Sequence, residues 1–260
     1  PAASDALAAA TEVTPGLADL IYPHPAFDDT VRSQQEDQLR ATDTAQPAIG
    51  AVSLAAMRVL EHFGLAPDAT CGHSYGELVA LCAAGRLRPM ELYQLSRRRG
   101  ELMAVGDGDH GSMLAVSGEL EWVKQFLLEH DLDLVVANHN APEQAVLSGV
   151  TYEIERAQDL LSKADVRVKR LAVAAAFHSS LVAQAGAPFA ENLTSIELTE
   201  SDVPVFANAT GAAYPERSTD ARELLASQLT SPVEFVACVR AMFEDGVRTF
   251  VEVGPGRRLS

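Results

Sequence analysis

Ser74 stands between two glycines in the stretch "GHSYG", residues 72–76. That spacing fits the G-x-S-x-G nucleophile elbow: a strand enters, the serine sits on a strained corner and a helix leaves. Glycines at 72 and 76 let backbone segments crowd together where a side chain would clash. A helix starting just past Ser74 would aim unsatisfied N–H groups at an oxygen bonded there, where a tetrahedral intermediate carries negative charge. The implied chemistry is nucleophilic acyl transfer, against the plainer possibility of a glycine-flanked serine on an ordinary turn. Position separates the two. "DATCG" ahead of Ser74 reads as a short buried strand, and the residues from Gly76 onward read as an apolar helix.

An alcohol needs a base, and the chain has seven histidines. His178, in "AAAFHSS", is singled out by its place at a junction between two differently patterned parts of the chain. A serine hydrolase would also place an acid between nucleophile and histidine. The carboxylates in that interval fall almost entirely within residues 112–175 or the loop before them, and none stands out as a third member. A Ser74–His178 dyad, with the imidazole oriented by a backbone carbonyl, meets the same geometric need.

The elements that must hold these groups follow from periodicity. Residues 44–63 carry apolar side chains at helical spacing, with Gly64 placed to stop the helix, and Pro89 opens another helix over 89–104. From 112 the pattern reads strand "SMLAVS", helix "ELEWVKQFLLEH", strand "LDLVVANHN", strand "AVLSG", helix "TYEIERAQDLLSKA" and strand "VRVKRLAV". That β-α-β-β-α-β order is the ferredoxin-like unit. Beyond it, "VPVFANA" and "RTFVEVG" read as two more buried strands. The predicted architecture is α/β: a large α/β-hydrolase-like subdomain with a parallel sheet, 1–111 plus 176–260, interrupted by a small ferredoxin-like α+β subdomain, 112–175. A ligand is expected in the cleft between them.

Composition limits the partners. At 47% hydrophobic residues, with no apolar run long enough to cross a bilayer, the chain reads as a water-soluble globular protein. A formal net charge of −16 argues against nucleic acid or an anionic membrane as a general partner, with "SRRRG" at 96–100 as the one local basic cluster. The N-terminus lacks the basic start and apolar stretch of a secretory signal. Cys71, Cys82 and Cys238 have no metal-like spacing and read as buried thiols in a reducing, cytoplasmic setting.

Several stretches together carry a resemblance: "TAQPAIGAVS", "GHSYGELVALCAAGRL", "SRRRGELM", "NHNAPEQAVLSG", "AFHSS", "VPVFANATG", "QLTSPVEF" and "VEVGPG". The sequence resembles the malonyl-CoA:acyl carrier protein transacylase family, in the form of an acyltransferase domain of a type I polyketide synthase. "GHSYGE", with "LIYPHPAFDD" upstream, is most similar to the iterative enediyne type. The resemblance implies that Ser74 is acylated, that His178 is the general base and that the Tyr75 N–H forms half of the oxyanion hole. It implies that Arg99 pairs with the free malonyl carboxylate and that Gln46 lines the pocket. The Gln228 carbonyl and the Asn140 side chain would help hold His178 and the active-site wall. Phe177, in an "AFH" ending, resembles the malonyl-selective class, although residue 175 is alanine where that class often has histidine. Malonyl-CoA would be the substrate, acyl carrier protein and neighbouring synthase domains the partners, and no permanently bound cofactor or metal is implied.

The arginine assignment has independent physical support. Three consecutive arginines on a helix point three ways, so at most one faces inward, and a guanidinium fork suits a carboxylate. Members of the family begin with a strand ending in a "GQGSQ"-like loop that supplies the second oxyanion donor. Nothing here matches it, so the chain is expected to be part of a longer one. Other motifs carry less. "GDGDHG" at 106–111 satisfies G-x-G-x-x-G but follows a helix and precedes a strand, the wrong context for a dinucleotide. His24, Asp28 and Asp29 have no third ligand at metal spacing, and Trp122 is expected in the core. The rival functions are a serine esterase or thioesterase, and a catalytically idle docking module for carrier proteins.

Overall fold

A computed structural model describes residues 2–104, 109–171, 173, 175–257 and 259. The chain opens with four helices: α1 (Ala2–Val13), α2 (Leu17–Ile21), α3 (Asp29–Arg40) and α4 (Thr42–His62). α3 buries no residue. Its start is fixed by Asp28, whose carboxylate accepts the Thr30 N–H at 2.6 Å and satisfies one of the helix's orphan donors. α4 buries Gln46, Gly50, Ser53, Leu54 and Met57, a helical stripe, and Gly64 lies just beyond its end at φ +81°, a left-handed stop.

β1 (Thr70–Cys71) then runs into the Ser74 corner, and α5 (Gly76–Ala83) leaves it. α6 (Pro89–Ala104) packs across α4 and is tied to α1 by the Tyr93 hydroxyl, which donates to the Ala6 carbonyl at 2.9 Å.

Next come β2 (Ser112–Ser117), α7 (Leu120–Glu129), β3 (Val135–Ala141), β4 (Gln144–Gly149), α8 (Thr151–Lys163) and β5 (Val168–Arg170). The four strands form one antiparallel sheet in the order β3-β4-β2-β5. Leu114, Leu147, Val123, Ile154 and Leu161 close a core of their own between this sheet and its two helices. β3 also reaches outward. The Val233 N–H donates to the Ala137 carbonyl at 2.8 Å and the His139 N–H to the Val233 carbonyl at 2.9 Å, hooking the sheet's edge onto the rest of the molecule.

The chain returns through a 3-10 turn (Ser180–Ala185) into α9 (Gly186–Leu193), β6 (Val205–Phe206), α10 (Ser218–Ser227) and α11 (Phe235–Glu244). β6 lies parallel to β1, Thr70 opposite Val205 and Cys71 opposite Phe206. The fold is thus mixed α/β, with one parallel and one antiparallel sheet among the described residues.

Three expectations are corrected. The parallel sheet comprises two strands of two residues each among the described residues, with β1 only partly buried. "RTFVEVG" forms no strand there. Phe250 and Val251 are half-exposed and no neighbouring strand pairs with them, and an unpaired extended segment has no ladder to stabilise it. Trp122 is 42% exposed, resting on Phe126 at the surface rather than in the core.

Candidate active site

The corner at Ser74 is built by close approach. A Cβ on Gly72 would overlap the Gly76 carbonyl and the Glu77 nitrogen, so only glycine lets the incoming strand pass the outgoing helix. Ser74 itself has φ +51°, a left-handed conformation that costs a non-glycine residue about 1–2 kcal/mol. Its N–H donates to Asn208 Oδ1 at 2.6 Å and its carbonyl accepts the Glu77 N–H at 3.0 Å. The Tyr75 side chain is anchored away from the corner through a 2.6 Å hydroxyl contact with Ser96. The Tyr75 N–H makes no hydrogen bond to any described residue, as an oxyanion donor requires.

Ser74 Oγ lies 2.8 Å from His178 Nε2, within reach for direct proton transfer. On the other side of the ring, Nδ1 lies 2.9 Å from the Ser231 carbonyl and 3.2 Å from the Gln228 carbonyl. Carbonyls only accept, so Nδ1 carries the proton and Nε2 presents a lone pair to the serine; the tautomer follows from this network. His178 also has a left-handed backbone, φ +57°. Burial, then the nearby positive Arg99, then His73 push its pKa down to about 4, so the imidazole is neutral at physiological pH.

Arg99 is 2% exposed. Its Nη1 donates to Gln46 Oε1 at 2.8 Å and its Nη2 to Gln228 Oε1 at 3.1 Å, while Nε has no partner among the described residues. No carboxylate among the described residues lies within ion-pair distance of it. Burial lowers its pKa to about 10, still well above neutrality. A buried cation held only by amide oxygens is costly unless an anion completes the site. Gln228 joins the two halves, its backbone serving His178 and its side chain serving Arg99. Arg97 and Arg98 pair with Glu101 on the surface, so one arginine of the three faces inward. Phe177, next to His178, packs against both the main core and the apolar residues beneath the four-stranded sheet.

Asn140 makes no hydrogen bond to His178 among the described residues; its Oδ1 lies 2.7 Å from His73 Nε2, linking β3 to the residue before the nucleophile. Sequence reasoning missed the Ser231 carbonyl, which no side-chain pattern could reveal. It also missed Asn208 and Glu77. Asn208 follows a strand parallel to the one that enters the elbow, the end at which open α/β sheets place functional groups. Burial raises the Glu77 pKa to about 7, against hydrogen bonds from Tyr214 and the Asn208 N–H.

The sites set aside have structural duties where they are described. Residues 105–108 of the glycine-rich loop lie outside the described residues, and Asp109 caps α8 by accepting the Thr151 N–H at 2.8 Å and its hydroxyl at 2.6 Å. His24 accepts a hydrogen bond from Gln35 through its carbonyl, and Asp28 is the α3 cap.

Comparison with known proteins gives a consistent result. A model of the acyl transferase domain family matches residues 25–259. The malonyl CoA-acyl carrier protein transacylase of Bacillus subtilis is 35% identical over 86% of this chain and 72% of its own length. The crystal structure of the malonyl CoA-acyl carrier protein transacylase from Clostridium perfringens superposes with a TM-score of 0.85 at 30% identity, covering 98% of this chain and 79% of that one. The acyltransferase domain of an iterative polyketide synthase in enediyne biosynthesis superposes with a TM-score of 0.71 at 34% identity, covering 77% of this chain and 53% of that one.

Proposed function

We propose, from the premise that this chain belongs to the acyl transferase domain family, that it moves a malonyl group from malonyl-CoA to the phosphopantetheine thiol of an acyl carrier protein. The observation that carries the choice of acyl group is Arg99: a buried guanidinium beside the Ser74–His178 pair with no carboxylate at ion-pair distance among the described residues. A malonyl thioester brings that carboxylate.

In the first half-reaction His178 Nε2 takes the Ser74 hydroxyl proton as Oγ bonds to the thioester carbon. The carbonyl π pair moves onto oxygen, stabilised by the Tyr75 N–H. Collapse of the tetrahedral intermediate expels the CoA thiolate, which takes the proton from His178, leaving malonyl-Ser74. In the second half-reaction the carrier's thiol gives its proton to His178 and attacks the ester carbon, and Ser74 leaves with that proton. His178 remains neutral between steps because of its burial. Gln46 and Gln228 orient Arg99 on the distal carboxylate, which sets the register of the thioester against Ser74.

Further parts of the reading rest on the residues around this centre. Residues 1–111 and 176–260 act as the α/β-hydrolase-like subdomain and 112–175 as the ferredoxin-like one, which contributes to carrier docking. Phe177 crowds the malonyl α-carbon and disfavours a methyl branch, a preference of about 1–3 kcal/mol for one methyl group. The similarity to the enediyne-synthase acyltransferase supports a setting in an iterative synthase alongside neighbouring domains. The three free thiols suit the reducing cytoplasm.

The decisive experiment is intact-protein mass spectrometry after brief exposure to malonyl-CoA, with Ser74→Ala as control. A malonyl adduct on Ser74 that a carrier thiol removes supports transfer. Release of free malonate without a thiol acceptor would instead identify a hydrolase, and no adduct at all an idle docking module.

A further inference from the structure

We propose that Asn208 is a positioning residue for the nucleophile: it fixes the backbone on which Ser74 is presented, and Glu77 and Tyr214 seat it for that task. The proposal rests on the acyl-transfer reading above.

The geometry is a closed ring of three hydrogen bonds. The Ser74 N–H donates to Asn208 Oδ1 at 2.6 Å, the Asn208 N–H donates to Glu77 Oε2 at 3.0 Å, and the Glu77 N–H donates to the Ser74 carbonyl at 3.0 Å. Asn208 Nδ2 adds a bond to the Gly72 carbonyl at 2.7 Å, so one amide grips the elbow on both sides of His73. The Tyr214 hydroxyl donates to the same Glu77 oxygen at 2.7 Å. Asn208 is fully buried and Glu77 is 1% exposed, so bulk solvent does not reach these positions.

The ring has a consequence for Ser74 that ordinary packing lacks. Asn208 fixes the peptide plane before Ser74 and Glu77 fixes the plane after it. The angle between those planes is set by the φ and ψ of Ser74, whose φ lies in the left-handed region. Without Asn208 the first plane is free to relax, and Oγ swings away from His178 Nε2. The second plane carries the Tyr75 N–H, so the ring also holds the oxyanion donor in place relative to Oγ. The groups facing the ring are Arg99 from α6, Cys238 from α11, Cys71 from β1 and Gln228 after α10.

The test measures the rate of Ser74 acylation by malonyl-CoA in the full chain, by rapid quench and intact mass, across about pH 5 to pH 9. A fluorophosphonate is used in parallel; there Ser74 Oγ bonds to phosphorus, fluoride leaves and His178 takes the proton. Asn208→Ala should acylate about 10²-fold more slowly at saturating malonyl-CoA, with KM moved by less than about threefold. Asn208→Asp is the diagnostic variant. Its protonated carboxyl can accept from the Ser74 N–H and donate to the Gly72 carbonyl, as the amide does, whereas its ionised form cannot donate. Its rate relative to the parent should therefore be highest at acid pH and fall as pH rises. The proposal is overturned if Asn208→Ala, folded by circular dichroism, stays within about threefold of the parent rate. It is equally overturned if Asn208→Asp follows the parent's pH profile, and that arm decides the matter should the alanine variant fail to fold. A parent chain that takes up the phosphonate but no malonyl group would refute the acyl-transfer reading alone, and the phosphonate rates of the variants would still judge Asn208.

Discussion

The four-stranded sheet with α7 and α8 and the region around Ser74 have interiors of opposite character. The first is filled by Leu114, Val116, Val123, Phe126, Leu147, Ile154 and Leu161 and buries no charge. The second buries Gln46, Glu77, Arg99, Asn208, His178 and Gln228, and leaves Glu77 Oε1, Arg99 Nε and Gln228 Nε2 without a hydrogen-bond partner among the described residues. Backbone strain divides the same way. Among the described residues, four non-glycines have positive φ: Asp131 and Asp165 lie just past the ends of α7 and α8, where such a turn is ordinary, and the other two are Ser74 and His178. One region is arranged for stability and the other holds groups in costly states ready to react. The large apolar cluster beneath the elbow, which includes Leu78, Leu81, Leu92 and Phe189, is what tolerates the second.

That division predicts that stability and chemistry can be damaged separately. Ile154→Ala removes a fully buried side chain from the sheet's own core and should cost about 2–5 kcal/mol of stability. The midpoint of denaturant unfolding should fall accordingly, while acylation of Ser74 per folded molecule stays at the parent rate. A slower acylation in the folded fraction would show that the two regions are not separable.

Arg99→Ala cuts the other way. The variant should lose about 10- to 10²-fold of its preference for malonyl-CoA over acetyl-CoA, the worth of one or two charge-assisted hydrogen bonds. A ratio of two substrates is independent of the folded fraction. The same variant removes a positive charge that depresses the His178 pKa. The acid limb of the rate profile should then move up from about pH 4, because the protonated imidazole cannot act as base. An unchanged substrate ratio would remove Arg99 from the carboxylate site.

How much of this was legible follows from what each feature depends on. Elements that obey local periodicity are legible wherever they lie, so α6 over 89–104 and strand "SMLAVS" occur with the bounds the sequence predicts. Ser74 and His178 could be paired because the elbow has a local spacing and the histidine sits at a change of pattern. That Asn140 hydrogen-bonds to His73 was not legible, since which imidazole an amide meets is fixed by how β3 hooks onto Val233. "RTFVEVG" carries a strand's residue types, but strand formation needs a neighbour, which residue types alone do not supply. Asn208 and the Ser231 carbonyl owe their roles to backbone placement more than a hundred residues from the elbow, beyond the reach of any local pattern.

The smallest expected effect tests the comparison within the polar region itself, through opposing proton linkages. The Glu77 pKa rises from an ordinary 4.5 to about 7, first because of burial. Between those values the folded state binds more protons than the unfolded one, so Glu77 adds stability as pH falls through 7 toward 4.5. His178 does the reverse, its pKa falling from an ordinary 6.5 to about 4. The unfolded state binds more protons in that interval, and stability is lost on acidification. The two contributions offset each other in the parent chain. Glu77→Gln abolishes the first and leaves the second, so the variant should lose stability more steeply than the parent between pH 7 and pH 5, by on the order of 1–2 kcal/mol. Relative to the parent, the glutamine should be best tolerated at alkaline pH, where a buried carboxylate is charged and a glutamine is not. Denaturant midpoints at a series of pH values measure this directly. Parallel curves for the two proteins would mean that Glu77 does not change protonation on folding, and that its burial in the ring leaves its titration where the unfolded chain has it.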